Sequence, residues 1–195
     1  MSRPSEFDRQ EVLDKAMHVF WSTGYSATSI NRLVDATELQ PGSLYSAFKS
    51  KKGLFLEVID VYANRSLARI RSCLTTSPNA IDGIEQLFLK IAEEMKHDNT
   101  GKGCLMVNTL LELAHRNDEI VQKVIAYLSL IESLIKDALL QARQNGEIDK
   151  RANCTGLAKT LVASIWGLRV MSATTPSPVT YDTTVQNFMK MIPRI

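Results

Sequence analysis

The sequence predicts an all-α protein, and three observations carry that prediction. Apolar residues recur at helical spacing through nearly every periodic stretch. No run of alternating β-branched residues bounded by hairpin signals occurs. The breakers, Gly24, Pro41, Pro78, Gly101, Gly146 and the Pro176/Pro178 pair, fall between periodic stretches or at their starts.

Each helix can be read in turn. In "EFDRQEVLDKAMHVFWSTGY", Val12, Ala16 and Phe20 lie four apart with Leu13 and Met17 beside them, one apolar stripe that stops at Gly24. A short second helix follows, capped by Thr28 or Ser29, with Ile30, Leu33 and Val34 as its buried edge. The third begins at Pro41, because proline is tolerated at the first helical position, where its missing N–H has no intrahelical partner. Leu44 and Phe48 then face the core. Ser50 can cap a long fourth helix carrying Leu54, Phe55, Val58, Ile59 and Tyr62. The polar "TTSPNA" at 75–80 marks a boundary, dividing the chain into a 1–74 domain and a 75–195 domain. Further helices are expected near 81–96, 104–115, 117–145, 152–173 and 182–192.

Composition narrows the class. A chain of 195 residues with 45% hydrophobic content can bury a core. Three widely spaced cysteines, Cys73, Cys104 and Cys154, match no disulfide or metal spacing, which favours reduced thiols and a cytoplasmic location. Met1–Gln10 is polar and no run is apolar enough to span a bilayer, so neither a secretory signal nor a membrane partner is expected. The net charge of +2 is too small to argue for nucleic acid by itself. Its distribution says more: Lys49, Lys51 and Lys52 crowd together with no acid among them.

Three short helices, with "ATEL" as a four-residue turn between the second and third, describe a helix-turn-helix. That geometry sends the N-terminal end of the third helix into the DNA major groove. A helix start made of Pro41 and Gly42 is poor in side chains, so its free N–H groups can approach a partner closely. Ser43 and Ala47, four apart, share the face turned from the core and are candidates for base edges. Tyr45 lies between that face and the core, with its hydroxyl within reach of phosphate, and the lysines behind it can grip phosphates.

Residues 9–62 resemble the DNA-binding domain of the TetR family of transcriptional repressors, on the strength of "GYSATSI", "GSLYSAFKSKKGLF" and the aromatic-rich first helix. The resemblance implies DNA contacts at Thr28 or Ser29, at Pro41, Gly42, Ser43, Tyr45 and Ala47, and at Lys51, to which the local charge adds Lys49 and Lys52. Gln40 stands where the family often has a serine cap, and Lys52 where an acid is common. Arg3 and Pro4 resemble an arm that some members lay in the minor groove.

For the second body the resemblance implies a small-molecule effector site and homodimerisation through the last two long helices. Leu157, Leu161, Ile165 and Leu168, with small Ala158 and Gly167, suit either a dimer contact or an intramolecular core. Apolar residues including Met95, Met106, Leu110, Leu128 and Trp166 suit either a ligand pocket or ordinary helical packing. Cys104 sits at the start of a predicted helix with Lys102 two residues away, a setting that favours thiolate, and Gly-Cys is equally a packing motif. Glu93 with His97, and Glu112 with His115, share helix faces, but no cluster has tight metal-ligand spacing, so no metal or cofactor is expected.

The expected function is a sequence-specific repressor that binds a near-palindromic double-stranded operator as a homodimer. An effector or thiol modification would release it. The alternative is an all-α small-molecule-binding protein or enzyme. No nucleophile–base pair, paired carboxylates or phosphate-cradling glycine loop supports catalysis.

Overall fold

The computed structural model describes residues 7–98, 100–116, 118–174 and 177–195; the predicted Arg3–Pro4 arm lies outside them. The all-α class holds. The helices are α1 Arg9–Thr23, α2 Ile30–Thr37, α3 Pro41–Phe48, α4 Lys51–Thr76, α5 Ala80–Lys96, α6 Leu105–Leu113, α7 Asp118–Gln144, α8 Cys154–Met171 and α9 Pro178–Met189. A 3-10 turn, Ser172–Thr174, follows α8.

Local chemistry sets these limits. Asp8 opens α1 by accepting the N–H groups of Gln10 and Glu11, and Gly24 closes it at φ 78° by donating its N–H to the Phe20 carbonyl. Asn79 and Asn153 cap α5 and α8 in the same way, accepting from Asp82 and Gly156. Helix α9 starts at Pro178, four residues ahead of the sequence-based limit. Its proline occupies the first helical position, as Pro41 does in α3, and so initiates the helix it had been read as preceding.

The chain divides into two compact units, one of residues up to Arg65 with Asn108–Val124, the other of Ser66–Val107 with Ile125–Ile195. These differ from the boundary expected at 74/75. The reason lies in the first unit, where the 108–124 segment is tied to the N-terminal helices. Glu112 accepts hydrogen bonds from the Tyr25 and Ser26 N–H groups, Lys123 pairs with Asp60 at 2.8 Å, and Lys52 pairs with Glu119.

The core of the first unit is the stripe foreseen for α1, joined by Leu33, Leu44, Phe48, Leu54, Phe55, Val58 and Ile59, all buried. Phe55 is its centre. Phe20 lies 4.6 Å and Tyr25 4.9 Å from it, ring centre to ring centre, at separations where aromatic pairs attract. In the second unit, Ile84, Leu87 and Phe88 of α5 pack with Ile135 and Leu139 of α7, Leu161 and Leu168 of α8, and Tyr181 and Val185 of α9. Within that unit Glu94 pairs with two arginines, Arg69 at 3.0 Å and the buried Arg169 at 3.3 Å.

Candidate nucleic-acid interface

The third helix divides cleanly between fold and surface. Leu44 and Phe48 are buried. Pro41, Gly42, Ser43, Tyr45 and Ser46 are exposed, and Tyr45 leaves 45% of its surface open. Ala47 is half-buried and less available than its spacing suggested. A Cβ built on Gly42 meets nothing within 4 Å, so the fold itself places no demand for glycine there. Gln40, the residue before the helix, makes no side-chain cap, which leaves the first N–H groups of α3 without an intramolecular side-chain partner.

The helix-turn-helix turn is Glu38–Gln40, three residues long. Ala36 and Thr37 of the expected "ATEL" turn remain in α2, because the Thr37 hydroxyl donates to the Leu33 carbonyl inside the core. Glu38 then takes φ 61°, the left-handed conformation that ends the helix.

Ser29 is the cap of α2, accepting the Arg32 N–H at 3.2 Å, and remains exposed. Thr28 is not surface-facing. It is 1% exposed, and its hydroxyl is bonded to the Gly24 carbonyl and the Thr23 hydroxyl, so its assignment as a direct DNA contact is corrected to a structural one.

The lysine cluster separates into three roles. Lys51 directs its ammonium inward, donating to the carbonyls of Tyr25 at 2.9 Å, Thr28 at 2.9 Å and Ser26 at 3.5 Å, and lies 4.6 Å from the centre of the Tyr25 ring. Three N–H donors thus have three carbonyl acceptors, and a free phosphate grip gives way to a brace. Lys52 is paired with Glu119. Lys49 is the exposed one, bonded to the Ser46 carbonyl at 3.1 Å from a backbone at φ 67°. Lys51→Ala is accordingly expected to lower the unfolding free energy by roughly 2 kcal/mol, the range for hydrogen bonds to a charged group. Lys49→Ala is expected to change it by less than about 0.5 kcal/mol. Urea denaturation of the two variants measures the difference.

Two residues hold this surface in a role that the sequence does not reveal. Arg9 lies 4.3 Å above the Phe48 ring, donates to the Ala47 carbonyl and forms a fork with Glu57, Nε to Oε2 at 3.1 Å and Nη2 to Oε1 at 2.7 Å. It anchors the C-terminal end of α3. Glu112 anchors the turn before α2. Burial raises its carboxyl's pKa, but the hydrogen bonds from Ser26 and from the Tyr25 N–H outweigh that, and the net shift is downward.

The residues proposed for an effector site are distributed as follows. Met95, Met106 and Leu128 are buried and Cys104 and Trp166 half-buried, all in the second unit, whereas half-buried Leu110 belongs to the first. Cys104 directly precedes α6, and Cys73 and Cys154 are buried thiols. Of the α8 stripe, Ala158, Leu161, Ile165 and Leu168 fill the intramolecular core. Exposed positions include Ala163, Gly167 and Val170 of α8 and Val179 of α9. Among the described residues no group of three His, Cys, Asp or Glu side chains could hold a metal ion, and no helix is long and apolar enough to cross a membrane.

Comparison with known proteins decides the family. Residues 12–58 match the family described as bacterial regulatory proteins, tetR family, and residues 80–188, more than half of the chain, match the tetracyclin repressor-like C-terminal domain. The protein belongs to the TetR family. It is similar to the HTH-type transcriptional repressor ComR of Escherichia coli strain K12, with 33% identity over 169 residues covering 86% of this chain and 80% of ComR. It is also similar to the uncharacterized HTH-type transcriptional regulator YezE of Bacillus subtilis strain 168, 25% identical over 90% of this chain and 91% of that one. Among solved structures, a cysteine mutant of the TetR family transcriptional regulator CifR, complexed with 26bp double-strand operator DNA, superposes with a TM-score of 0.90 at 26% identity, covering 98% of this chain and 100% of that one. This TetR-family chain is therefore a DNA-binding transcriptional repressor and not an enzyme.

Proposed function

We propose that the protein acts as a homodimer that recognises a near-palindromic operator through the exposed faces of α2 and α3, and that it leaves DNA when a small-molecule effector binds the second unit or when Cys104 is modified. The observation that carries this reading is the bare tip of α3: Gly42 has open space around it, while the core-facing and C-terminal sides of the helix are anchored by Leu44, Phe48 and Arg9. A helix tip of this kind fits a major groove, with Ser43 and Tyr45 beside it for bases or phosphate and Ser29 and Lys49 for the backbone. The likeness to CifR, solved with operator DNA, supports the same use of the corresponding helices.

Two copies reading half-sites one DNA turn apart gain discrimination that one small domain lacks. Outward small or apolar positions of α8 and α9, among them Ala163, Gly167, Val170 and Val179, are suited to pairing. A shift of a few ångströms in the separation of two reading helices would remove specific binding and leave charge-driven binding in place.

Selection of duplexes from a random pool by the purified full chain tests this. Enrichment of an inverted repeat with half-site centres about one helical turn apart is expected. Recovery of duplexes without sequence preference, at a salt dependence typical of charge contacts alone, would contradict it.

A further inference from the structure

We propose that Glu112, which lies outside the DNA-reading surface, is the positioning residue that sets that surface, by holding the turn Gly24–Thr28 and with it the start of α2. This rests on the reading of α2 and α3 as the DNA probe, and adds to it the contact through which α6 would govern that probe.

The turn carries more backbone polar groups than its own residues can satisfy. The Tyr25 and Ser26 N–H groups are met by one carboxylate, Glu112 Oε2 at 2.9 Å and Oε1 at 2.6 Å, one oxygen for each donor. The carbonyls of Tyr25, Ser26 and Thr28 are met by one ammonium, that of Lys51. A single turn is thus held between an acid from α6 and a base from α4. Charge-assisted bonds of this kind are about twice as strong as neutral ones.

Glycine at position 24 belongs to the same device. Its φ of 78° disfavours any side chain, and a Cβ there would lie 2.7 Å from Glu112 Oε2, so the carboxylate packs directly on the glycine backbone. The buried Thr28 hydroxyl binds the Gly24 carbonyl, and the next residue, Ser29, caps α2. Moving Glu112 by an ångström would stretch both bonds beyond hydrogen-bonding range and free the residues that set where α2 begins.

The helix that carries Glu112 is well placed to make this contact regulatory. The division between the two units falls within α6, between Val107 and Asn108, only five residues before Glu112. The pairs Lys52–Glu119 and Lys123–Asp60 hold the rest of the 108–124 segment to the N-terminal helices independently. Loss of the Glu112 carboxylate should therefore loosen the turn without detaching the segment.

The test is Glu112→Gln in the full chain, which keeps the side chain's size but turns an NH2 toward one of the two N–H donors. Affinity for a duplex selected by the unmodified protein should fall at least about tenfold, one hydrogen bond's worth, with binding to a scrambled duplex nearly unchanged, while the urea midpoint falls with the unmet N–H donor. A purely structural role would move the two duplexes together. Glu112→Asp, which keeps the charge but draws the carboxylate back by one methylene, should lose selectivity as well. Hydrogen exchange gives a readout that needs neither variant nor DNA: in the unmodified protein the Tyr25 and Ser26 amides should be protected. Wild-type selectivity in Glu112→Gln, or unprotected Tyr25 and Ser26 amides, overturns the proposal. If the unmodified protein selects no sequence, the DNA reading fails and the exchange result alone decides whether the clamp exists.

Discussion

Gly53→Ala should cost about 3 kcal/mol of unfolding free energy or more, the upper range for overpacking, and shift the urea midpoint sharply downward. At an ordinary helical position this substitution stabilises by roughly 0.5–1 kcal/mol, so the expected sign is reversed. A Cβ on Gly53 would sit 2.1 Å from the Phe48 carbonyl oxygen, and that atom is backbone. The carbonyl has little freedom to withdraw. It accepts the Ser50 N–H at 2.8 Å, Ser50 in turn caps the Gly53 N–H, and Lys49 between α3 and α4 is already at φ 67°. Relief requires sliding the end of α3 away from α4, against Leu44 and Phe48, which are fully packed. An unchanged midpoint would mean that this corner is looser than described.

Gly42→Leu should do the reverse, leaving stability unchanged or raised by up to about 1 kcal/mol while lowering affinity for the selected duplex roughly a hundredfold, about 3 kcal/mol. Nothing in the fold occupies the space a side chain would take at position 42, so the protein gains helix propensity and loses no packing. The cost falls on the partner. A leucine at the tip of α3 would hold base edges and phosphates away from the backbone N–H groups, and contacts to Ser43 and Tyr45 would lengthen with it. Fluorescence anisotropy with the selected and a scrambled duplex measures the effect, and the scrambled duplex should bind nearly as before. The two glycines lie eleven positions apart, one required by the fold and the other by what the fold touches.

How far the sequence carries can be judged from particular residues. Leu44 and Phe48 were legible as core and Pro41 as a helix start, because helical spacing and the missing proline N–H are local facts. Pro178 does the same thing as Pro41, with Tyr181 and Val185 three and seven positions behind it as Leu44 and Phe48 are behind Pro41, but its pairing with Pro176 gives it the local signature of a separator. Lys51 marks a different limit. Whether an ammonium turns outward to a phosphate or inward to three carbonyls depends on where the Gly24–Thr28 turn passes, and spacing along α4 does not contain that. Glu112 lies 87 residues from Tyr25, and no local pattern connects them. Arg9 left a faint signal, a guanidinium at the head of an amphipathic helix, but its partners Ala47 and Glu57 come together only in the folded unit. The α8 stripe shows the same limit: periodicity identified an apolar face at Leu161 and Leu168 and did not say that the protein's own α5 and α9 cover it.

The central claim, that the bare start of α3 is what meets DNA, is tested most directly by titrating the 15N-labelled full chain with the selected duplex and following its amide resonances. The account predicts the largest shifts at Gly42, Ser43 and Tyr45, with Ser29 and Lys49 next and the buried core of the second unit quiet. Saturating binding that leaves Gly42, Ser43 and Tyr45 unmoved would contradict it.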